Sequence, residues 1–305
     1  AELLKKYPKT SGEDYLIEAM INFVKTRFSV QLETNEIIPT FGTREVLFNF
    51  PQFWLFDKEN PTMSFPNPFY QIYEGASIAS RAKIIHMDLT KENNFKPSLT
   101  EDELRQSDIV ILNFPNNPTS SNISLEELVV WVDKAIKYDF VLINDECYSE
   151  IYFDENSKPP SLLEASIRAG NKAFKNVLVM NSISKRSSAP GLRSGFIAGD
   201  KEILKEYMKY RTYIGCASPL PLQKAAAVAW NNESHVQVFR DIYKKNFEIA
   251  RDLLGVKIPD ATFYIWLEVE NDLEFTKKLY EEKNVKVLPG SFLGRNGAGH
   301  GYVRI

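Results

Sequence analysis

Two basic residues that follow one apolar stretch of the chain have the chemistry to hold an aldehyde cofactor. Lys185 comes just after residues 177–180, a continuous apolar run that predicts a buried strand, and Arg193 lies eight residues further on beside two glycines. A lysine amine held at a strand end can form a Schiff base with an aldehyde. A nearby guanidinium can grip a phosphate through paired hydrogen bonds. This segment therefore predicts a site for an aldehyde cofactor that carries a phosphate.

An acidic and an amide side chain follow two other predicted strands. Asp145 comes directly after the apolar run 140–144, Tyr148 follows three residues later, and Asn117 stands after a third such run. In parallel sheets, ligands gather beyond the carboxyl ends of the strands, so these side chains should meet Lys185 in one site.

A glycine turn between a short predicted strand and a helix is a candidate phosphate cup. Gly42 and Thr43, followed by Arg44, would offer backbone N–H groups at a helix N-terminus and one hydroxyl. Ser182 and Arg193, from the lysine segment, would complete this cup.

Predicted strands and helices alternate through the first two thirds of the chain. The strand-like runs are residues 36–40, 82–87, 109–113, 140–144, 177–180 and 195–199. Helical patterns fill most of the gaps, which predicts an α/β domain with a mostly parallel central sheet flanked by helices. A long helical stretch, 223–254, broken by the polar residues Asn231 and Asn232, follows, and then a short tail with strands near 262–269 and 285–288. We expect this part to form a smaller α+β domain.

The motifs and their order resemble those of the pyridoxal-phosphate-dependent aminotransferases of fold type I. The run SKRSSAPGLRSGF is most similar to the lysine segment of N-succinyldiaminopimelate aminotransferases, and NDECYSEIYF resembles the D-x-x-Y segment of the family. The other matching segments are YPKTSG, the Gly42 turn, the P-x-Y-x-x-Y pattern at 68–73, N-P-T at 117–119 and the final GYVRI. One departure is Ser120, which stands where the family often has glycine.

The resemblance implies that the cofactor is pyridoxal 5'-phosphate and gives roles to the residues around it. Lys185 would hold the aldehyde and, once freed, act as the general base at the substrate's α-carbon. Asp145 would keep the pyridine nitrogen protonated, while Tyr148 and Asn117 would bind the phenolic oxygen. Tyr70 would stack on the cofactor ring.

Two roles fall near the ends of the chain. Arg304, together with Asn117, would bind the substrate carboxylate, because the planar fork of arginine suits a carboxylate. Tyr7 would reach across a dimer interface to the neighbour's phosphate, which implies a homodimer with shared active sites. Family members carry an arm before the Tyr7 segment and a helix after the Arg304 segment, so we expect both ends to be shortened. The predicted domains are residues 1–220, which bind the cofactor, and residues 221–305, linked to them by the long helix.

Composition limits the other classes of function. The 305 residues carry a formal net charge of -3, which gives no reason to expect nucleic acid or an acidic membrane as a partner. No apolar run approaches the roughly 20 residues of a membrane span. Two cysteines without a C-x-x-C pair and three scattered histidines predict neither a disulfide framework nor a metal site, and favour a cytoplasmic protein.

The sequence thus predicts an aminotransferase that exchanges an amino group between glutamate or 2-oxoglutarate and a second amino or 2-oxo acid. The lysine segment favours N-succinyl-LL-2,6-diaminopimelate, an intermediate of lysine and diaminopimelate synthesis. The candidates for its side-chain pocket are Phe263, Tyr264 and Arg211. Another aminotransferase, for aspartate or aromatic amino acids, and a β-lyase that cleaves carbon–sulfur bonds are the alternatives.

A different enzyme class also has a motif in the lysine segment. Ser182 and Lys185 fit S-x-x-K, the nucleophile motif of serine β-lactamases, but the chain has neither S-D-N nor K-T-G. A non-catalytic binding protein of the same fold would tolerate loss of the lysine, the aspartate or the arginine, and all three are present.

Overall fold

The structure, a computed structural model, describes residues 2–305 and is built around a seven-stranded sheet. The strands are β1 (Ile37–Thr40), β2 (Thr62–Asn67), β3 (Lys83–Asp88), β4 (Ile109–Leu112), β5 (Val141–Asp145), β6 (Val177–Ser182) and β7 (Gly195–Gly199). They lie in the order β1-β7-β6-β5-β4-β2-β3. Strands β2 to β6 are parallel to one another, whereas β7 is antiparallel to both β6 and β1. The predicted α/β fold with a mostly parallel sheet is confirmed.

Eleven α-helices lie within residues 2–305, and several of them pack on the two faces of this sheet. They are α1 (Asp14–Phe28), α2 (Thr43–Trp54), α3 (Ile72–Ala79), α4 (Glu101–Gln106), α5 (Leu125–Tyr138), α6 (Leu162–Arg168), α7 (Ile183–Arg186), α8 (Lys201–Ile214), α9 (Leu220–Trp230), α10 (Ser234–Leu254) and α11 (Asp272–Lys283). Within residues 2–305, none of them combines the length and apolarity that crossing a membrane requires.

Alternating side chains of the strands divide the apolar interior into two cores. Along β4, Val110 and Leu112 pack in the core beneath α1, α5, α6 and α9. Ile109 and Ile111 point to the opposite core, beneath α2, α3 and α8. Burial on both faces explains why the central strands are continuous apolar runs in the sequence.

The local sequence of helix α5 determines where the helix begins and which of its faces is buried. The Ser124 side chain accepts a hydrogen bond from the Glu127 backbone N–H, and the Glu127 side chain accepts one from the Ser124 N–H, which forms a capping box. Leu128, Trp131 and Val132 recur at helical spacing and are buried against the sheet.

The parallel register brings the carboxyl ends of the central strands to one edge of the sheet. Leu112 in β4 pairs with Asn144 in β5, and Asp145, the next residue, pairs with Met180 in β6. Helix α7, which carries Lys185, begins as β6 ends. The edge of the sheet therefore positions the site.

A second, three-stranded sheet lies near the end of the chain. It consists of β8 (Trp266–Glu268), β9 (Leu288–Pro289) and β10 (Tyr302–Arg304), in the order β8-β10-β9. A single β-bridge between Tyr152 and Ala261 connects the segment before β8 to the region after β5. The division of the chain at residue 220 stays a prediction.

Two strands were missed by the sequence analysis. Strand β2 contains Pro66, and proline is rare within central strands because it has no N–H to donate. The structure accommodates it because β2 pairs with β4 only at Met63 and Ser64, while its later residues pair with β3 alone. Strand β10 is only three residues long. The predicted helical stretch over 223–254 is divided into two helices, α9 and α10, at the predicted break at Asn231 and Asn232.

Candidate active site

A cavity of about 520 Å³ opens at the carboxyl ends of β4, β5 and β6. The residues that line it are Thr43, Arg44, Tyr70, Gln71, Asn113, Asn117, Asp145, Cys147, Tyr148, Ser184, Lys185, Pro190, Arg193, Tyr264 and Arg304. It contains all of the predicted site residues except Gly42, Ser182 and Tyr7. The cavity therefore joins side chains from both ends of the chain.

Asp145 is a buried carboxylate at the floor of the cavity. Its Oδ2 accepts a hydrogen bond of 2.9 Å from the Tyr73 hydroxyl, and its Oδ1 accepts one of 3.3 Å from the Cys147 N–H. Burial raises the pKa of Asp145 above its ordinary value, while the hydrogen bonds from Cys147 and Tyr73 oppose that rise. Among residues 2–305 no basic side chain forms an ion pair with it, so the carboxylate is held by neutral donors.

Lys185 faces the cavity from α7 and is half-buried. Its Nζ lies 5.4 Å from the centre of the Phe263 ring and 5.8 Å from that of Tyr148. In the part of the chain that the structure describes, no carboxylate pairs with this ammonium group. The apolar ring faces and the lack of a partner leave the amine available to a ligand.

Arg193 and the Gly42 turn form the basic end of the cavity. The Arg193 guanidinium donates to the carbonyl oxygens of Phe41 and Pro190, each at 2.9 Å. Gly42 has a φ of +82°, and a Cβ at this position would lie 2.2 Å from Nη2 of Arg193. Only glycine lets the turn and the guanidinium approach this closely. Ser184 also lines this part of the cavity.

Arg304 and Asn117 meet at the other side of the cavity. Nη1 of Arg304 donates to Oδ1 of Asn117 at 2.6 Å, and the guanidinium lies 4.4 Å from the centre of the Tyr264 ring. The hydroxyls of Tyr264 and Tyr148 are 2.9 Å apart. Burial raises the pKa of Tyr148 well above its ordinary value, so this phenol keeps its proton at neutral pH.

Arg44 and Tyr70 lie next to each other at the rim of the cavity. Nε of Arg44 donates to the Tyr70 hydroxyl at 2.7 Å, and the guanidinium lies 5.7 Å from the centre of the Tyr70 ring. Among the described residues, no carboxylate pairs with Arg44. This arginine therefore has donors to offer at the mouth of the cavity.

Three predicted residues lie outside the cavity lining. Gly42 sits directly behind Arg193. Ser182 is buried, donates to the Ser194 carbonyl at 3.0 Å and accepts from the Ser184 N–H at 3.0 Å, so it caps α7. The side chain of Tyr7 is fully exposed.

The candidates for a side-chain pocket fall in two places. Tyr264 lines the cavity, and Phe263 packs between Tyr148 and Lys185. Arg211 lies elsewhere, because its buried guanidinium pairs with Glu45 at 3.1 Å. Glu45 also accepts a hydrogen bond from the Phe41 N–H, so Arg211 supports the Gly42 turn from behind.

Three residues of the site were missed as functional by the sequence analysis. Tyr73 reaches Asp145 from α3. Asn113 donates to the Asp145 carbonyl at 3.0 Å and accepts from the Asn117 N–H at 3.1 Å, so it ties two strand ends together. Cys147 lines the cavity, and burial raises the pKa of its thiol well above its ordinary value. The position of Asn113 at a strand end was the one available clue.

The donors fit pyridoxal 5'-phosphate. Asp145 presents a buried carboxylate that needs a positive partner, which a protonated pyridine nitrogen supplies. Lys185 offers the aldehyde an amine that pairs with no carboxylate among residues 2–305. Because Gly42 has no Cβ, the Arg193 guanidinium can lie against the turn, where it can bind a phosphate. The same cavity lining thus contains a carboxylate for a ring nitrogen, an amine for an aldehyde and a guanidinium for a phosphate.

The fold and the cavity define a pyridoxal-phosphate-dependent enzyme of fold type I. The chain belongs to the family described as aminotransferase class I and II, which matches residues 1–305. It is therefore an aminotransferase, and its cofactor is pyridoxal 5'-phosphate.

Solved structures and curated relatives agree with this family. The structure of aminotransferase AspB from Helicobacter pylori 26695 has a TM-score of 0.97 and 54% identity, over 100% of this chain and 81% of that chain. An aminotransferase from Neisseria meningitidis Z2491 has a TM-score of 0.94 and 42% identity, over 100% and 80%. The LL-diaminopimelate aminotransferase of Aquifex aeolicus is 32% identical over 98% of this chain and 78% of the relative.

Replacing Tyr73 with phenylalanine should shift the pH dependence of turnover. The Tyr73 hydrogen bond lowers the pKa of Asp145, so its loss raises that pKa and leaves less carboxylate in the charged form at a given pH. The acid limb of the kcat–pH profile should move to higher pH, and kcat at neutral pH should fall about tenfold. Tyr207→Phe is the matched control, because its buried hydroxyl has no hydrogen-bond partner among residues 2–305 and Tyr207 does not line the cavity. An acid limb that stays in place in Tyr73→Phe would contradict this role.

Replacing Gly42 with alanine should weaken cofactor binding without unfolding the chain. The new Cβ would displace the end of the Arg193 side chain and break its bonds to Phe41 and Pro190. We expect the dissociation constant for pyridoxal phosphate to rise about tenfold, measured by titrating the apoenzyme. Gly191→Ala serves as control, because a Cβ there meets no atom within 4 Å. Equal affinities for the two variants would refute the assignment of this turn.

Proposed function

We propose that the enzyme exchanges an amino group between glutamate or 2-oxoglutarate and N-succinyl-LL-2,6-diaminopimelate, within lysine and diaminopimelate synthesis. The resemblance of the lysine segment supports the succinylated substrate. The curated relatives, at 28–33% identity, include several LL-diaminopimelate aminotransferases, which supports the diaminopimelate skeleton. The charge of the cavity is the observation that favours the succinylated form.

The cavity carries several positive groups and one negative group. Among the described residues that line it, Asp145 is the sole carboxylate, and Arg44, Lys185, Arg193 and Arg304 are basic. Asp145 is assigned to the pyridine nitrogen, so the distal ammonium of free LL-diaminopimelate would find no carboxylate. Succinylation converts that ammonium to a neutral amide and adds one carboxylate, and Arg44 at the rim is free to bind this added carboxylate.

The residues of the chain would divide the work of the reaction. When bound, pyridoxal phosphate supplies an aldehyde for the amine and a ring that withdraws electrons from the substrate's α-carbon. Asp145 keeps the proton on the ring nitrogen. Lys185 would act as the general base at the substrate's α-carbon, since its amine faces the cavity and pairs with no carboxylate among residues 2–305. Arg193 and the Gly42 turn hold the phosphate.

The orientation of the substrate would depend on Arg304 and the residues around it. Arg304 binds the α-carboxylate, with its guanidinium held by Asn117 and the face of Tyr264. Tyr148, which keeps its proton, and the amide of Asn117 would hold the phenolic oxygen of the cofactor. Tyr70 would stack on the cofactor ring.

We also infer a cytoplasmic homodimer. The fully exposed side chain of Tyr7 is free to reach a neighbouring chain, where it would donate to that chain's cofactor phosphate. Both cysteines are unpaired thiols, which fits a reducing compartment. Each active site would then need two chains.

Steady-state kinetics of the pyridoxal-phosphate-loaded enzyme would test the substrate. With 2-oxoglutarate as acceptor, we expect kcat/KM for N-succinyl-LL-2,6-diaminopimelate to exceed that for LL-diaminopimelate, aspartate and phenylalanine at least about tenfold. Arg44→Gln should remove most of this preference and leave the values for phenylalanine unchanged, because phenylalanine has no distal carboxylate.

Other outcomes would identify the alternatives. A preference for LL-diaminopimelate or aspartate would keep the aminotransferase and discard the succinylated substrate. Release of pyruvate and ammonia from cystathionine, without transfer to 2-oxoglutarate, would point to the β-lyase.

A further inference from the structure

Two buried residues with unusual backbone conformations face each other beside the active site. Ser120 has a φ of +59° and Thr262 a φ of +72°, both in the left-handed region. That region disfavours residues with a Cβ, and a β-branched threonine most of all. The two hydroxyl oxygens lie 2.7 Å apart although the residues are separated by 142 positions in the chain. Such strained conformations persist only where surrounding contacts hold them, and they cluster at functional sites.

The side-chain hydrogen bonds of this pair connect the two residues to each other and to the backbone of Tyr264. Oγ of Ser120 donates to the Tyr264 carbonyl at 2.9 Å, so the Thr262 hydroxyl is the donor in the bond between Ser120 and Thr262. Oγ1 of Thr262 in turn accepts from the Tyr264 N–H at 3.2 Å. Both backbone polar groups of Tyr264 are therefore fixed by these two side chains.

Tyr264 connects Ser120 and Thr262 to the active site. Its ring lies against the Arg304 guanidinium, and its hydroxyl meets that of Tyr148. Asn117, which binds Arg304, lies three residues before Ser120 in the same loop. One loop thus holds Arg304 directly through Asn117 and indirectly through Ser120 and Tyr264.

We propose that Ser120 and Thr262 form a hydroxyl latch that sets the position of Tyr264, and through it the direction in which Arg304 faces the substrate carboxylate. Both are positioning residues, since neither lines the cavity. The glycine that the family often has at this point would relieve the strain but would supply no hydroxyl. This inference rests on the proposed role of Arg304.

The test compares Ser120→Gly with Ser29→Gly in the pyridoxal-phosphate-loaded enzyme. Ser29 also has a left-handed backbone, with a φ of +58°, but is exposed at the end of α1. Ser120→Gly should raise the dissociation constant of maleate, a dicarboxylate without an amino group, about tenfold by calorimetry. The KM for glutamate should rise in parallel, while kcat and cofactor affinity stay unchanged. Ser29→Gly should alter none of these values.

Ser120→Ala separates the hydroxyl from the backbone strain. It removes the same bonds as Ser120→Gly but keeps a Cβ in the left-handed region. The two variants should weaken maleate binding equally, with a lower melting temperature for the alanine variant. Loss of cofactor or of thermal stability in both, with maleate binding unchanged, would mean a merely structural role and would overturn the latch.

Arg304→Gln distinguishes the latch from the function on which it rests. If Arg304→Gln weakens maleate binding and Ser120→Gly does not, the latch is wrong and the role of Arg304 stands. If Arg304→Gln leaves maleate binding unchanged, the carboxylate site lies elsewhere and both ideas fail. In the Arg304→Gln background, Ser120→Gly should have no further effect; an additional tenfold loss would contradict transmission through Arg304.

Discussion

The site depends on a buried carboxylate, Asp145, which has no basic ion-pair partner among residues 2–305. Asp145 ends β5, where burial raises its pKa and the Tyr73 hydroxyl and Cys147 N–H oppose that rise. Holding a charge in this position costs free energy unless a positive group arrives, and a protonated pyridine nitrogen is such a group. The protein therefore pre-forms one half of an ion pair, whose other half enters with the cofactor.

The parallel sheet brings the other residues of the site close to this carboxylate. Because β4, β5 and β6 end at one edge, the residues just beyond them meet although they are far apart in sequence. Asn113 joins the end of β4 to that of β5 through hydrogen bonds to Asp145 and Asn117. Arg304 then closes the opposite side. Among the described residues that line the resulting cavity, Asp145 is the one carboxylate, and Arg44, Lys185, Arg193 and Arg304 are basic. The cavity can therefore offer an anionic partner to a ring nitrogen and cationic partners to a phosphate and a carboxylate.

Sequence reasoning predicted those parts of the fold and site that local pattern determines. The bounds of α5 and β7 agree with the predicted ones, since capping, apolar spacing and glycine mark them. Strand β2 was missed because its proline contradicts the usual pattern, and only its limited pairing with β4 makes proline acceptable there. Tyr73 and the pairing of Ser120 with Thr262 depend on contacts between distant segments, which no local pattern encodes.

The central claim is that this cavity holds pyridoxal phosphate through Lys185. The most direct measurement is borohydride reduction of the cofactor-loaded enzyme, followed by proteolysis and mass spectrometry of the peptides. The account predicts one modified peptide, in which the cofactor is fixed on Lys185. The same treatment of Lys185→Ala should yield no modified peptide. A cofactor fixed on other lysines, or on none, would contradict it.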